Sequence, residues 1–231
     1  MEQEKVAGII GGMGPEATVD FMQRIIRLTP ASDDCDHIRC LVDNNPKIPS
    51  RIKAIIEGNG ESPAPCMAEM AKRLEKWGAD FLVIPCNTAH YYYEPVQKAV
   101  SIPVVNLIDL VCAHIKRNYP DESQIGILAS PSVKITGLYT KRLAETGAVD
   151  IWPDRAFQEK LLNTIREIKK GNSGEKIRSE YREVCLNLVD KGAGVTIVAC
   201  TELGVLHPDV PVETVDAAEV LALETVRMAK S

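Results

Sequence analysis

Short apolar runs alternate with longer amphipathic stretches along the whole chain. Val6-Ala-Gly-Ile-Ile10 is an uninterrupted apolar run, the pattern of a strand covered on both faces. Gly11-Gly-Met-Gly-Pro15 breaks it. Pro15 and Glu16 suit the first turn of a helix, where a missing N–H costs nothing and a carboxylate meets the dipole. Val19, Met22, Ile25, Ile26 and Leu28 then form one helical stripe, the expected buried face. Ile38 to Val42 reads as a second strand, and the turn-rich loop Asp43 to Ser50 leads to Arg51. After a Gly/Pro-rich loop, Asn59 to Pro65, an amphipathic helix carries Met67, Met70, Ala71, Leu74 and Trp77 and stops at Gly78. Trp77 and the methionines are expected in the core. Phe81 to Ile84 is the next buried strand.

The pattern continues with a helix over Tyr92 to Val100, a strand over Val104 to Ile108 and a helix over Leu110 to Arg117. Asn118 to Ser123 is a polar break. Gln124-Ile-Gly-Ile-Leu-Ala-Ser130 then repeats the opening strand and its small-residue turn. Helices follow over Gly137 to Thr146, Glu159 to Lys170 and Glu175 to Asp190, the last with Ile177, Tyr181, Val184, Cys185 and Leu188 facing the core. A strand over Val195 to Ala199, a loop at Pro208 to Pro211, a short strand over Val212 to Val215 and a helix over Ala217 to Ala229 close the chain. Alternating strands and helices call for parallel sheets covered by helices, with right-handed crossovers. Ligands in such folds bind at the carboxyl ends of strands. Gly11–Gly14, Cys86–Thr88, Ser130–Ser132 and Cys200–Glu202 all lie at such ends.

One sentence of the sequence is written twice. Lys-Trp-Gly-Ala-Asp-Phe-Leu-Val-Ile-Pro-Cys-Asn-Thr ends at Thr88, and Asp-Lys-Gly-Ala-Gly-Val-Thr-Ile-Val-Ala-Cys-Thr-Glu ends at Glu202. The offset 200 − 86 = 114 aligns Gly78 with Gly192, Ala79 with Ala193 and Cys86 with Cys200. Gly8 and Gly126 lie 118 apart, so the second half restarts near Gln124, as an internal duplication would.

Composition narrows the class. A chain of 231 residues with 45% hydrophobic and 26% charged residues has the balance of a soluble globular protein. Net charge is −5 with scattered basic residues, which gives no argument for nucleic acid or an anionic membrane surface. Met1 to Lys5 is polar, Val6 to Ile10 is too short for a signal-peptide core, and no apolar run approaches the roughly 18 residues that span a bilayer. The seven cysteines are therefore expected reduced, in the cytoplasm. Cys35 and Cys40 form a Cys-x4-Cys pair with no second knuckle, so no metal site is expected. Gly12, Gly14 and Ala17 fit Gly-x-G-x-x-Gly/Ala, with Asp33 to Asp36 where a ribose-binding acid would stand. Thr29 to Asp36 reads as a loop, however, so a small anion at the helix N-terminus is the preferred reading of the glycines.

A lone cysteine at a strand end is usually a small core residue. Two in repeated contexts point to chemistry. Asn87 and Thr88 follow one, Thr201 the other, and a helix N-terminus just beyond would favour a thiolate. Two bases suit a carbon that loses a proton on one face and gains one on the other, with donors on the neighbouring carboxylate taking up charge. His90 reads either as ordering this loop or as tuning Cys86, and Tyr91-Tyr-Tyr93 as packing or a subunit contact. Glu202 could cap the following turn, and Lys169 could complement a helix C-terminus.

Pro85-Cys-Asn-Thr-Ala-His90 and Ala199-Cys-Thr-Glu202 resemble the paired motifs of the aspartate/glutamate racemase superfamily. Gly11-Gly-Met-Gly-Pro15 and Asn44-Asn-Pro-Lys-Ile-Pro-Ser-Arg51 resemble its aspartate racemase branch. The resemblance implies two pseudo-symmetric α/β domains, each a parallel sheet flanked by helices, with the active site between them. Residues 1–105 plus 215–231 would form one half-domain and 106–214 the other. It also implies a homodimer, no cofactor, and an acidic amino acid as substrate. Cys86 and Cys200 would be the acid/base pair. Met13, Asn87, Thr88, Ser130, Thr201 and Glu202 would line the substrate, and Arg51 would grip its distal carboxylate. Lys169, with Lys170 beside it, would reach the substrate. Ala129-Ser-Pro-Ser132 departs from the hydroxyl-rich turn of that pattern, since Pro131 lacks a donor. Isomerisation by a cysteine nucleophile, as in maleate isomerases, is the alternative inside the superfamily. A dinucleotide-dependent enzyme and a catalytically silent amino-acid binder are the alternatives outside it.

Overall fold

The computed structural model describes residues 4–206 and 211–231. The chain divides into two units, Met1–Leu110 with Ala218–Ser231, and Val111–Ala217. In the first, β1 (Ala7–Gly11) lies between β2 (Cys40–Asn44) and β3 (Phe81–Val83), parallel to both. Every residue of β1 and β3 is buried, as uninterrupted apolar runs require. α1 (Pro15–Leu28), α2 (Ala64–Trp77), α3 (Tyr93–Gln97) and the first turn of α4 (Leu107–Asn118) belong to this unit.

The second unit holds a four-stranded parallel sheet, with β4 (Gln124–Leu128) between β5 (Val149–Ile151) and β6 (Val195–Val198), and β7 (Glu213–Asp216) outside β6. Its helices are the rest of α4, α5 (Pro131–Thr136), α6 (Leu138–Thr146), α7 (Arg155–Ile168) and α8 (Glu175–Asp190). α9 (Ala217–Ala229) returns the chain to the first unit. The α/β reading with two parallel sheets flanked by helices holds.

The 114-residue repeat is a packing repeat. β3 and β6 each pair with the first strand of their unit. Gly78 and Gly192 both adopt left-handed backbone, φ +105° and +89°, ending α2 and α8. Ala79 N–H then bonds Leu74 O, and Ala193 N–H bonds Leu188 O, both at 3.0 Å. A Cβ on Gly8 would stand 2.5 Å from Leu82 and 2.9 Å from Ala79; one on Gly126 would stand 2.6 Å from Thr196 and 3.1 Å from Ala193. Those contacts match residue for residue.

Some expectations change. α1 does not bury the Val19–Ile26 stripe: Val19 is 49% and Ile26 55% exposed, while Ala17, Thr18, Phe21, Arg24 and Ile25 are buried. Arg24 fixes that rotation, because its guanidinium reaches Asp20 at 2.7 Å and Glu219 of α9 at 3.0 Å, and a buried charge must be paired. Trp77 is not core but 64% exposed, since the buried row 67, 70, 71, 74 continues to Gly78. The strand expected over Val104–Ile108 shrinks to one bridge, Leu82 with Val104. Asn106 Oδ1 accepts from Ile108 N–H at 3.0 Å and Asp109 N–H at 3.3 Å, and this cap starts α4 early. A π-turn at Lys53–Glu57 and strand β5 were not anticipated. Except for Pro211, the expected loop at Pro208 to Pro211 lies outside the described residues.

Candidate active site

In the first unit the carboxyl ends of β1, β2 and β3 bring the glycine loop, Arg51 and Cys86 onto the same edge of one sheet. Gly12 has φ +94°, and a Cβ there would fall 2.2 Å from Asn45 O, so only glycine admits the two loops side by side. Thr18 ties the loop to α1: its hydroxyl accepts from Gly12 N–H at 2.9 Å and donates to Gly14 O at 3.0 Å. The Asp33–Asp36 segment is a short 3-10 turn closed by its own capping box, not the end of a strand.

Arg51 is half-buried. Its guanidinium donates to Met13 O at 3.2 Å and Pro49 O at 3.5 Å, so the structure brings Met13 and Arg51 together. Among the described residues no carboxylate pairs with it. Its charge also reaches the buried Tyr92 hydroxyl, whose pKa burial raises and Arg51 draws back. Tyr91 is exposed at 55%.

Cys86 is 8% exposed and Asn87 2%, with Thr88 half-buried at the start of a 3-10 turn, Thr88–Tyr92. The N–H groups opening such a turn have no partner within it and suit an anion. His90 is fully committed to backbone. Its Nε2 lies 3.0 Å from Leu107 N–H and must accept, so Nδ1 carries the proton and donates to Cys86 O at 2.9 Å. Burial pushes its pKa down, against smaller influences that include the Cys86 carbonyl, and keeps the ring neutral. His90 thus orders the Cys86 loop by clasping it to the start of α4.

In the second unit, Ser130 starts α5 at the end of β4 and is 8% exposed; Ser132 is fully buried. Gln158 of α7 donates to Ala129 O at 2.9 Å and steadies this turn, a contact with no signal in the sequence. Thr201 is 3% exposed, and Leu203 N–H bonds Cys200 O at 2.9 Å. Cys200 is half-buried, and its thiol donates to Glu202 Oε2 at 3.0 Å. Lys169, just past the end of α7, places Nζ 2.6 Å from Glu202 Oε1, whereas Lys170 turns back to Glu167 at 2.6 Å. Of the two lysines, Lys169 is the one that meets Glu202. Burial pushes the Glu202 carboxyl up, but Lys169 and the Cys200 thiol together outweigh it, and the group stays below the usual carboxylate range. Tyr181 of α8, 1% exposed, has its ionisation driven far up by burial, with Cys185, Asp216 and Cys200 adding to it. Among the described residues no three His, Cys, Asp or Glu cluster to hold a metal ion, and no helix is long and apolar enough to cross a membrane.

The sequence profile of the Asp/Glu/hydantoin racemase family matches residues 10–225, and the chain belongs to that family and is an amino-acid racemase. Among characterised relatives it is 28% identical to the broad specificity amino-acid racemase RacX of Bacillus subtilis over 225 residues, 95% of this chain and 96% of that one. Among solved structures, Picrophilus torridus aspartate racemase superposes with TM-score 0.88 at 31% identity, over 98% of this chain and 94% of that one. Glutamate racemase RacE1 of Bacillus anthracis shares the fold, with TM-score 0.69 at 19% identity over 100% of this chain and 83% of that one.

Proposed function

We propose that this racemase inverts an acidic amino acid, aspartate first, with Cys86 and Cys200 as acid and base on opposite faces of Cα. The observation that carries the reading is Arg51. A half-buried guanidinium anchored by two main-chain carbonyls, with no carboxylate beside it among the described residues, calls for an acid from outside. The Picrophilus neighbour, named an aspartate racemase, supports the same substrate, and the RacX relative supports some breadth.

In this reading Cys86 and Cys200 exchange roles with the direction of reaction, one thiolate removing the α-proton while the other thiol delivers one. Asn87, Thr88 and Thr201 hold the α-carboxylate as negative charge develops, with Met13 and Ser130 completing the walls. Arg51 holds the distal carboxylate. Lys169 and Glu202 enter as a pair beside Cys200. No pyridoxal phosphate takes part. The protein works as a homodimer in the cytoplasm, and Val19 and Ile26, exposed on α1, are apolar residues a subunit contact would cover.

The test is L-aspartate in D2O without added cofactor, followed by NMR and chiral chromatography. Deuterium at Cα and D-aspartate are expected. In Arg51→Lys, which keeps the charge but loses the fork, KM for aspartate should rise by about 10-fold or more. Turnover of maleate with no exchange at Cα of any acidic amino acid would overturn the proposal.

A further inference from the structure

The charged pair beside Cys200 acts on its thiol. We infer that Glu202, held by Lys169, keeps the resting proton of the site on Cys200. The contacts that carry this lie within one unit: Cys200 Sγ to Glu202 Oε2 at 3.0 Å and Lys169 Nζ to Glu202 Oε1 at 2.6 Å.

The carboxylate is an acceptor, so it stabilises the thiol and repels the thiolate. Ionising Cys200 would place two anions 3.0 Å apart with no proton between them. Moving the proton onto Glu202 instead is disfavoured, because a carboxyl ionises about four pH units below a thiol and Lys169 favours the ionised carboxylate further. Tyr181 of α8 is a further ionisable group acting on this sulfur, with Cys185 and Asp216 acting on that hydroxyl in turn. Burial keeps Tyr181 neutral, so it supplies no positive charge to rescue a Cys200 thiolate. At Cys86 the nearby imidazole is neutral and spends both nitrogens on backbone.

The consequence rests on the two-cysteine reading; the location of the proton does not. In one turnover the Cys86 thiolate takes the α-proton, an S–H bond forming as the C–H bond breaks. The Cys200 S–H bond then breaks as the new C–H bond forms on the other face. The enzyme is left with a Cys86 thiol and a Cys200 thiolate facing Glu202, and it returns to its resting form by exchanging protons with water. The two free-enzyme forms are therefore unequal in energy.

The experiment needs no substrate. The full chain is alkylated with iodoacetamide across pH, and modification of Cys200 and Cys86 is resolved by peptide mass spectrometry. Glu202→Gln should move the Cys200 midpoint down by about one pH unit, with modification near neutral pH faster by about fivefold or more, and move Cys86 less. Lys169→Met should move the Cys200 midpoint up, because the carboxylate then stands uncompensated. A Cys200 profile unmoved or raised in folded Glu202→Gln overturns the inference. If that variant does not fold, Lys169→Met decides alone: an upward shift supports the inference, and no shift or a downward one overturns it. Failure of the racemase reading would show separately, as absent α-proton exchange with these thiol shifts intact.

Discussion

Cys86 and Cys200 end strands that are built and packed alike, yet their surroundings have diverged. Under each strand the same contacts recur: Gly8 against Ala79 and Leu82, Gly126 against Ala193 and Thr196, each followed back to a left-handed glycine that ends a helix. Past the strand ends the likeness stops. The Cys86 loop is held by a neutral imidazole that bonds only backbone. The Cys200 loop carries a buried carboxylate that a lysine just past the end of α7 pairs with. The difference teaches that the duplicated packing supplies position twice, while the side chains around each strand end set two different electrostatic environments. A symmetrical pair of thiols would have no preferred proton location; this arrangement gives them one.

The comparison can be broken most severely at the sulfurs. Cys86→Ser and Cys200→Ser should each lower inversion of aspartate by about 10²–10⁴-fold, measured by chiral chromatography with fold checked by circular dichroism. If either variant keeps full inversion, the two loops are not partners in one reaction. A smaller effect is expected where the halves are alike. Gly8→Ala and Gly126→Ala force a methyl within 2.5 Å of Leu82 and 2.6 Å of Thr196, and each should cost about 1–3 kcal/mol by denaturant unfolding. Unequal costs would show that the packing repeat is not an energetic one.

The smallest effect sharpens the contrast between the loops. His90 is held neutral in the fold, so its folded pKa lies below the unfolded value near 6.5. The unfolded chain then binds the proton more readily, and the stability His90 supplies is full above about pH 6.5 and lost as pH falls toward the folded pKa. Relative to His90→Gln, which bonds without titrating, the wild type should lose up to about 1.4 kcal/mol per pH unit below that point. Parallel stability–pH curves for the two proteins would mean the imidazole is not buried neutral.

Much of this was legible before any coordinates. α8 and α9 lie where the apolar period and the capping glycine place them, because a helix is specified by neighbours three and four residues apart. Gly78 and Gly192 stop their helices because only a residue without Cβ turns left-handed freely. The repeat, the parallel α/β class and the strand-end position of both cysteines follow from the same local rules. Where two helices had to choose a face, or a turn had to choose a cap, local rules failed. Arg24 rotated α1 to meet Glu219, nearly 200 residues away, and Asn106 turned an expected strand into the start of a helix.

The sequence by itself thus determined the secondary-structure alternation and the duplication, both properties of residues and their near neighbours. Tertiary structure alone decided that Lys169 rather than Lys170 meets Glu202, that His90 clasps Cys86 O and Leu107 N–H, and that Arg51 rests on Met13 O. Apart from the four-residue step from His90 to Cys86 O, each of those is a contact of about 3 Å between groups separated by 17 to 38 residues, and only the folded chain brings such groups within reach.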